Sequence, residues 1–194
     1  MDRISEQSDL IVAADCLNNG GILCYPTETF YALGADPWNE AACARLRELK
    51  GRPEEKNLPL IVSDPGMVPL FCDVSDPRYD LLATQFWPGP LTIVLRDIRW
   101  NTSHAVRVSG NATARMISRL FGTAVISTSA NHAGQPPVSD PAQLPAGLIQ
   151  GIDLLVDGGL CPGGLPSTIV TLLETPARIL REGAIPGSEI LGKL

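Results

Sequence analysis

Eight runs of three to five apolar or strand-forming residues, at 22–25, 58–62, 91–95, 105–108, 124–126, 154–156, 168–170 and 178–181, constrain this chain most. Runs this short, rich in Leu, Ile and Val and bounded by Gly, Pro, Asn or Asp, suit strands rather than helices. Helical spacing occupies several of the gaps between them. Leu10, Ile11, Ala14 and Leu17 form one stripe within 8–17, stopped by Asn18-Asn19-Gly20-Gly21. Ala41, Ala44, Leu46 and Leu49 form a second over 40–50, opened by Asn39 or Pro37 and closed by Gly51. Asp76-Pro77 starts a third, with Leu81, Leu82 and Phe86 turned to the core, and Asn111 caps a fourth that runs through Leu120 to Gly122. Ser63-Asp64-Pro65-Gly66 predicts a turn, Asp140-Pro141 a short helix, and the last ten residues a small terminal helix. Strands interleaved with helices predict a mixed α/β (α+β) fold, and 194 residues suit a single domain over 1–194.

Several of the strand-length runs end in polar clusters, and strand ends are where sheet folds bind ligands. Tyr25-Pro26 is followed by Thr27-Glu28-Thr29, in which either threonine serves equally as a cap, a turn residue or a ligand contact. Ala124-Val125-Ile126 enters Ser127-Thr128-Ser129-Ala130-Asn131, a denser set of hydroxyl and amide groups than a turn requires. Lys50, Arg52 and Lys56 fall within seven positions, just before the 58–62 run. Such a loop is either a phosphate grip or a solvated turn, and its spacing alone supports both. Arg107 interrupts an apolar run, so it either points to solvent or is paired at a site. Gly163-Gly164-Leu165-Pro166-Ser167-Thr168 shares glycines and hydroxyls with a phosphate loop but lacks its spacing and its lysine.

A formal charge of -6 argues against general nucleic-acid affinity, so any polyanion must be held by a local patch of cations. Five cysteines without a CxxC pair or zinc-finger spacing read as reduced, mostly buried thiols. The N-terminal sequence lacks the pattern of a signal peptide, and no apolar run approaches the roughly 20 residues that span a bilayer. A cytoplasmic protein without membrane association is the expectation.

Six motifs in order, Tyr25-Pro26-Thr27-Glu28-Thr29, Lys50-Gly51-Arg52-Pro53, Trp87-Pro88-Gly89-Pro90, Val106-Arg107-Val108, Ser127-Thr128-Ser129-Ala130-Asn131 and Pro166-Ser167-Thr168-Ile169-Val170, resemble the YrdC family over nearly the whole chain. The family's Lys-x-Arg and Ser-x-Asn signature falls on Lys50, Arg52, Ser129 and Asn131. The resemblance implies a twisted mixed sheet with surrounding helices and a large concave electropositive face. It also implies a nucleotidyltransferase of tRNA processing, a threonylcarbamoyl-AMP synthase. Such an enzyme forms L-threonylcarbamoyladenylate and pyrophosphate from L-threonine, bicarbonate and ATP, for N6-threonylcarbamoyladenosine modification. Magnesium would accompany ATP, with no dedicated metal site on the protein. Expected partners are the proteins that transfer the threonylcarbamoyl group to tRNA, with a weak direct contact to tRNA or double-stranded RNA.

By the same resemblance, Lys50, Arg52, Ser129 and Asn131 would be catalytic. ATP would be held by these four with Lys56, Asn57, Ser139 and Arg181, and threonine by Thr29, Ser63, Arg107, Ser129 and Ser167. Three positions depart from the family pattern: Ala32 replaces a glycine, Asn57 a proline, and Ser63 stands where some relatives carry a histidine that contacts threonine. The form expected from the resemblance is the short one, without the extra C-terminal domain of the longer subfamily. Two other readings are a noncatalytic double-stranded-RNA-binding or ribosome-maturation module, and a nucleotide-binding paralogue with a different acyl substrate.

Overall fold

Strand pairing sorts the short runs into two mixed sheets. The computed structural model describes residues 1–6, 10–51 and 58–194. The first sheet is ordered β1 (Asp2–Ser5), β9 (Leu154–Asp157), β2 (Leu23–Tyr25), β3 (Ala32–Gly34), β8 (Thr128–Ser129). The second is ordered β11 (Arg178–Arg181), β10 (Thr168–Thr171), β5 (Leu91–Arg96), β6 (Ser103–Val108), β4 (Leu60–Val62), β7 (Val125–Ile126). Both mix parallel pairs, such as β1 with β9 and β5 with β10, with antiparallel ones, such as β2 with β3 and β5 with β6. The expected mixed α/β class is therefore present, with its strands divided between two sheets.

Helix ends obey local chemistry closely. In α2 (Glu40–Lys50) the Asn39 side chain accepts from Ala42 N at 3.1 Å, and Gly51 closes the helix at φ +60°, where a Cβ would be strained. Asp76 and Pro77 open α3 (Pro77–Phe86), and Asn111 caps α4 (Ala112–Phe121) through Ala114 N at 3.1 Å. Which face each helix buries departs from the sequence reading. In α1 (Ile11–Asn18) Leu10, Ala13, Ala14 and Leu17 are buried while Ile11 is exposed. In α2 the inward residues are Ala42, Cys43, Leu46 and Lys50, leaving Ala41 and Ala44 outside. In α3 Tyr79 and Ala83 replace Leu81, which is exposed. Moving one residue along a helix rotates the face by about 100°, so where neighbouring positions are apolar the sheet beneath selects the stripe.

Three strands escaped the sequence reading. Asp2-Arg3-Ile4-Ser5 forms edge strand β1 although only Ile4 is apolar, because pairing with β9 needs backbone and not side chains. The short strand β3 follows the polar cluster Thr27-Glu28-Thr29, and the two-residue β8 lies inside the polar cluster after β7. Two apolar clusters make the core. One lies on the face of the first sheet that carries Cys24 and Leu33 and reaches Leu60, Leu91, Ile93 and Val106 of the second. The other joins Leu23, Tyr25, Leu154 and Val156 to Leu17 of α1 and Ala114 and Ile117 of α4. The five cysteines are unbridged, and no helix among the described residues is long and apolar enough to cross a membrane.

Candidate active site

A cavity of about 850 Å³ opens where the two sheets meet. Its floor is one face of the second sheet. The pleat sends Leu91, Ile93 and Leu95 of β5 into the core and Thr92 and Val94 into the cavity, and does the same with Val106 and Val108 against Ala105 and Arg107 of β6. Ile169 and Thr171 of β10 continue the floor. The first sheet contributes Thr29, Phe30, Tyr31, Ala32 and Ser129. Ala32, in the place of the family's glycine, therefore lies in the wall and pairs with Ser129.

The hydroxyl-rich stretch after β7 is the crossing between the sheets. Val125 and Ile126 pair with β4, Thr128 and Ser129 pair with β3, and Ser127 lies between, its N–H donating to Pro59 O at 2.7 Å. Lys50 holds this crossing from behind. The Lys50 Nζ donates to Ser129 O, to Asn131 O at 2.9 Å and to Asn131 Oδ1 at 3.3 Å. Ser129 Oγ donates to Asn131 Oδ1 at 2.5 Å, and Asn131 Nδ2 donates to Gln135 O. Lys50 and Asn131 are buried and lie outside the cavity lining, whereas Ser129 faces it. The lysine and asparagine of the signature thus shape the loop that presents the serine.

Arg107, only 7% exposed, lines the cavity and donates through Nη1 to Glu28 Oε1. The open choice for this arginine resolves to a paired one at a site. On β11 of the same sheet the Nε and Nη2 of Arg181 donate to Ser167 O at 3.1 and 2.7 Å, and Nη2 also reaches Ser167 Oγ at 3.1 Å. Ser167 Oγ lies 2.9 Å from Thr92 Oγ1. Arg181 keeps contact with solvent, yet partial burial and the neighbouring Arg107 cation lower its pKa from the ordinary value. Thr27 is a turn residue: its Oγ1 accepts from Thr29 N and Phe30 N, both at 3.2 Å, which sets Thr29 at the cavity wall.

Of the expected residues, Thr29, Arg107, Ser129, Ser167 and Arg181 meet in one cavity. Ser63 and Ser139 are not in its lining. Ser63 Oγ donates to Asp64 Oδ2 at 2.6 Å, and Ser139 accepts from Cys161 N at 2.9 Å through its carbonyl. Arg52, Lys56 and Asn57 lie outside the described residues. The sequence reading missed Thr92 and gave Glu28 no role. Thr92 was hidden inside a run read only as a strand, although period-two alternation marks it as facing away from Leu91 and Ile93.

A family model for Sua5, YciO and YrdC, described as "Telomere recombination", matches residues 15–183. Threonylcarbamoyl-AMP synthases of Xanthomonas euvesicatoria pv. vesicatoria (strain 85-10) and Xanthomonas axonopodis pv. citri (strain 306) are 38% and 37% identical over 167 residues, covering 80% of this chain and 88% of theirs. Among solved structures, P. abyssi Sua5 complexed with L-threonine matches with a TM-score of 0.90 at 30% identity. That match covers 100% of this chain and 59% of the Sua5 chain, so this chain spans little more than half of its length. E. coli YciO matches with a TM-score of 0.85 at 23% identity, covering 98% of this chain and 97% of its own. Sequence, fold and motif order agree, and the chain belongs to the Sua5/YciO/YrdC family.

Proposed function

We propose that this protein is a threonylcarbamoyl-AMP synthase, taking L-threonine, bicarbonate and ATP to L-threonylcarbamoyladenylate, pyrophosphate and water. The observation that carries the reading is Arg107. Glu28 holds one end of its guanidinium, and the side chain still borders the cavity that Thr29 and Ser167 also line, where the rest of the fork matches a carboxylate. The curated relatives bear that activity as their name, and the Sua5 structure carries threonine.

The reaction opposes two anions, because the carbamate formed from threonine and bicarbonate must attack the α-phosphate of ATP. Positioning and charge neutralisation are the means available. We assign Arg107, Thr29 and Ser167 to the amino acid, with Ser129 between the two substrates. Arg181 and Ser139 are assigned to the nucleotide, and Arg52, with Lys56 and Asn57, to its phosphates. Lys50 and Asn131 would act by fixing the Ser129 loop, Lys50 adding charge toward the phosphates, and Ser63 would contribute at the edge of the threonine subsite. Magnesium would arrive as part of the ATP substrate. The product would pass to the proteins that transfer the group to tRNA in the cytoplasm, with 1–194 acting as one domain whose arginine-bearing concave face could also touch RNA weakly.

Purified protein incubated with ATP and bicarbonate should release pyrophosphate only when L-threonine is added. Release that ignores threonine would sink the assignment. Replacing Arg52 with Ala should abolish turnover with the circular dichroism spectrum unchanged, and a fully active R52A protein would remove that residue from the mechanism.

A further inference from the structure

Glu28 leaves β2 just beyond Thr27 and is not part of the cavity lining. Its carboxylate lies against Arg107: one oxygen accepts from Arg107 Nη1 and the other from Ser109 Oγ. Ser109 is fully buried, and its Oγ also accepts from Asn111 N at 3.2 Å, which anchors it to the start of α4. Gly110 leaves room for the Glu28 side chain, because a Cβ there would make a tight contact, 3.3 Å from both Cβ and Cγ of Glu28. Both carboxylate oxygens are placed: Oε2 is held by Ser109, and Oε1 fixes one end of the Arg107 guanidinium while that residue still borders the cavity.

The charge balance follows from the same contacts. Arg107, Arg178 and Arg181 line this cavity; Glu174, also in the lining, pairs with Arg178, and Glu28 offsets Arg107, which leaves Arg181 as the one guanidinium of the three without a carboxylate against it. A net single positive charge suits a monoanionic carboxylate. Two guanidiniums without Glu28 would suit a phosphate, which offers more charge and more acceptor oxygens. We propose that Glu28 is a specificity-determining positioning residue: by orienting Arg107 and offsetting its charge, it reserves this end of the cavity for the amino-acid carboxylate and disfavours phosphate groups. This rests on threonine and ATP being the two substrates.

Pyrophosphate-release kinetics of Glu28→Gln and Glu28→Asp, with inorganic phosphate as a competitor against threonine, test it. Glu28→Gln should raise the threonine KM about tenfold, the ratio for one lost charge-assisted hydrogen bond, and leave the ATP KM within about twofold. Inorganic phosphate should then compete with threonine about tenfold more tightly than in the parent protein. Glu28→Asp keeps the charge but is shorter, so it should show parent-like phosphate competition and an intermediate threonine KM. An unchanged threonine KM and phosphate competition in E28Q, or an equal rise of both KM values with a lowered Tm, overturns the proposal. Should E28Q fail to fold, Ser109→Ala frees the carboxylate without removing its charge. It should raise the threonine KM alone, and an unchanged KM refutes the role. If the parent protein releases no pyrophosphate with threonine, the functional reading fails by itself. The crystal structure of E28Q then decides: an Arg107 side chain turned from its parent rotamer supports the positioning role, and an unmoved one refutes it.

Discussion

A lysine that is 4% exposed is the residue on which the site loop depends most. Lys50 offers three donors and finds acceptors on Ser129 and Asn131, 79 and 81 positions away in sequence. Replacing it with Met would bury two carbonyls with a partner lost, so K50M should cost about 2–3 kcal/mol in urea unfolding. Hydrogen exchange should rise in the segment 127–135. Parent-like stability would show that the loop holds itself. That Lys50 ends a helix beside a cationic loop was legible in the sequence. That it grips a backbone loop was not, because its acceptors are brought close only by folding. Arg107 repeats the lesson, since Glu28, the partner that decides its direction, lies 79 residues earlier in the chain.

Elements position the site through their ends. Gly183 packs so tightly on the start of β10 that a Cβ would overlap the Pro166 carbonyl and stand 2.6 Å from Thr168 N. Gly183→Ala should therefore displace Ser167 and, with it, its partner Arg181, raising substrate KM values more than it lowers Tm; unchanged kinetics would show that the strand start can shift freely. Strand β1 depends on its neighbour in a different way. The Arg3 guanidinium hydrogen-bonds Asp157 and holds its carboxyl below the ordinary carboxylate range. A folded pKa below the unfolded value means that this stabilisation is present above about pH 3.9 and lost as pH falls through the folded value. Asp157→Asn should lower stability near neutrality and change little below the folded pKa, so that the acid limb of stability against pH flattens, measured by urea unfolding across that range. An unaltered acid limb would remove the pair from the docking of β1.

For the molecule as a whole, the cavity is a joint property of both sheets, so a ligand that fills it should resist their separation. L-threonine at 100 times its Kd should add about 2.7 kcal/mol and raise Tm by about 5–10 °C in a chain of this size. The shift should vanish in Arg107→Ala, and a shift retained there would place the ligand elsewhere. What the sequence determined by itself is local: short strand-length runs, the caps at Asn39, Asp76 and Asn111, the stop at Gly51, and the polar ends after β2 and β7. These depend on backbone geometry and on neighbours a few residues away. Only the tertiary structure decided that the strands form two sheets, that the segment Val125 to Ser129 crosses from one to the other, which helix faces are buried, and that Glu28, Arg107, Ser167 and Arg181 come together. The physical reason is that strand pairing and buried charge pairing join groups of arbitrary sequence separation, and their energies are set by a packing that no single stretch of the chain contains.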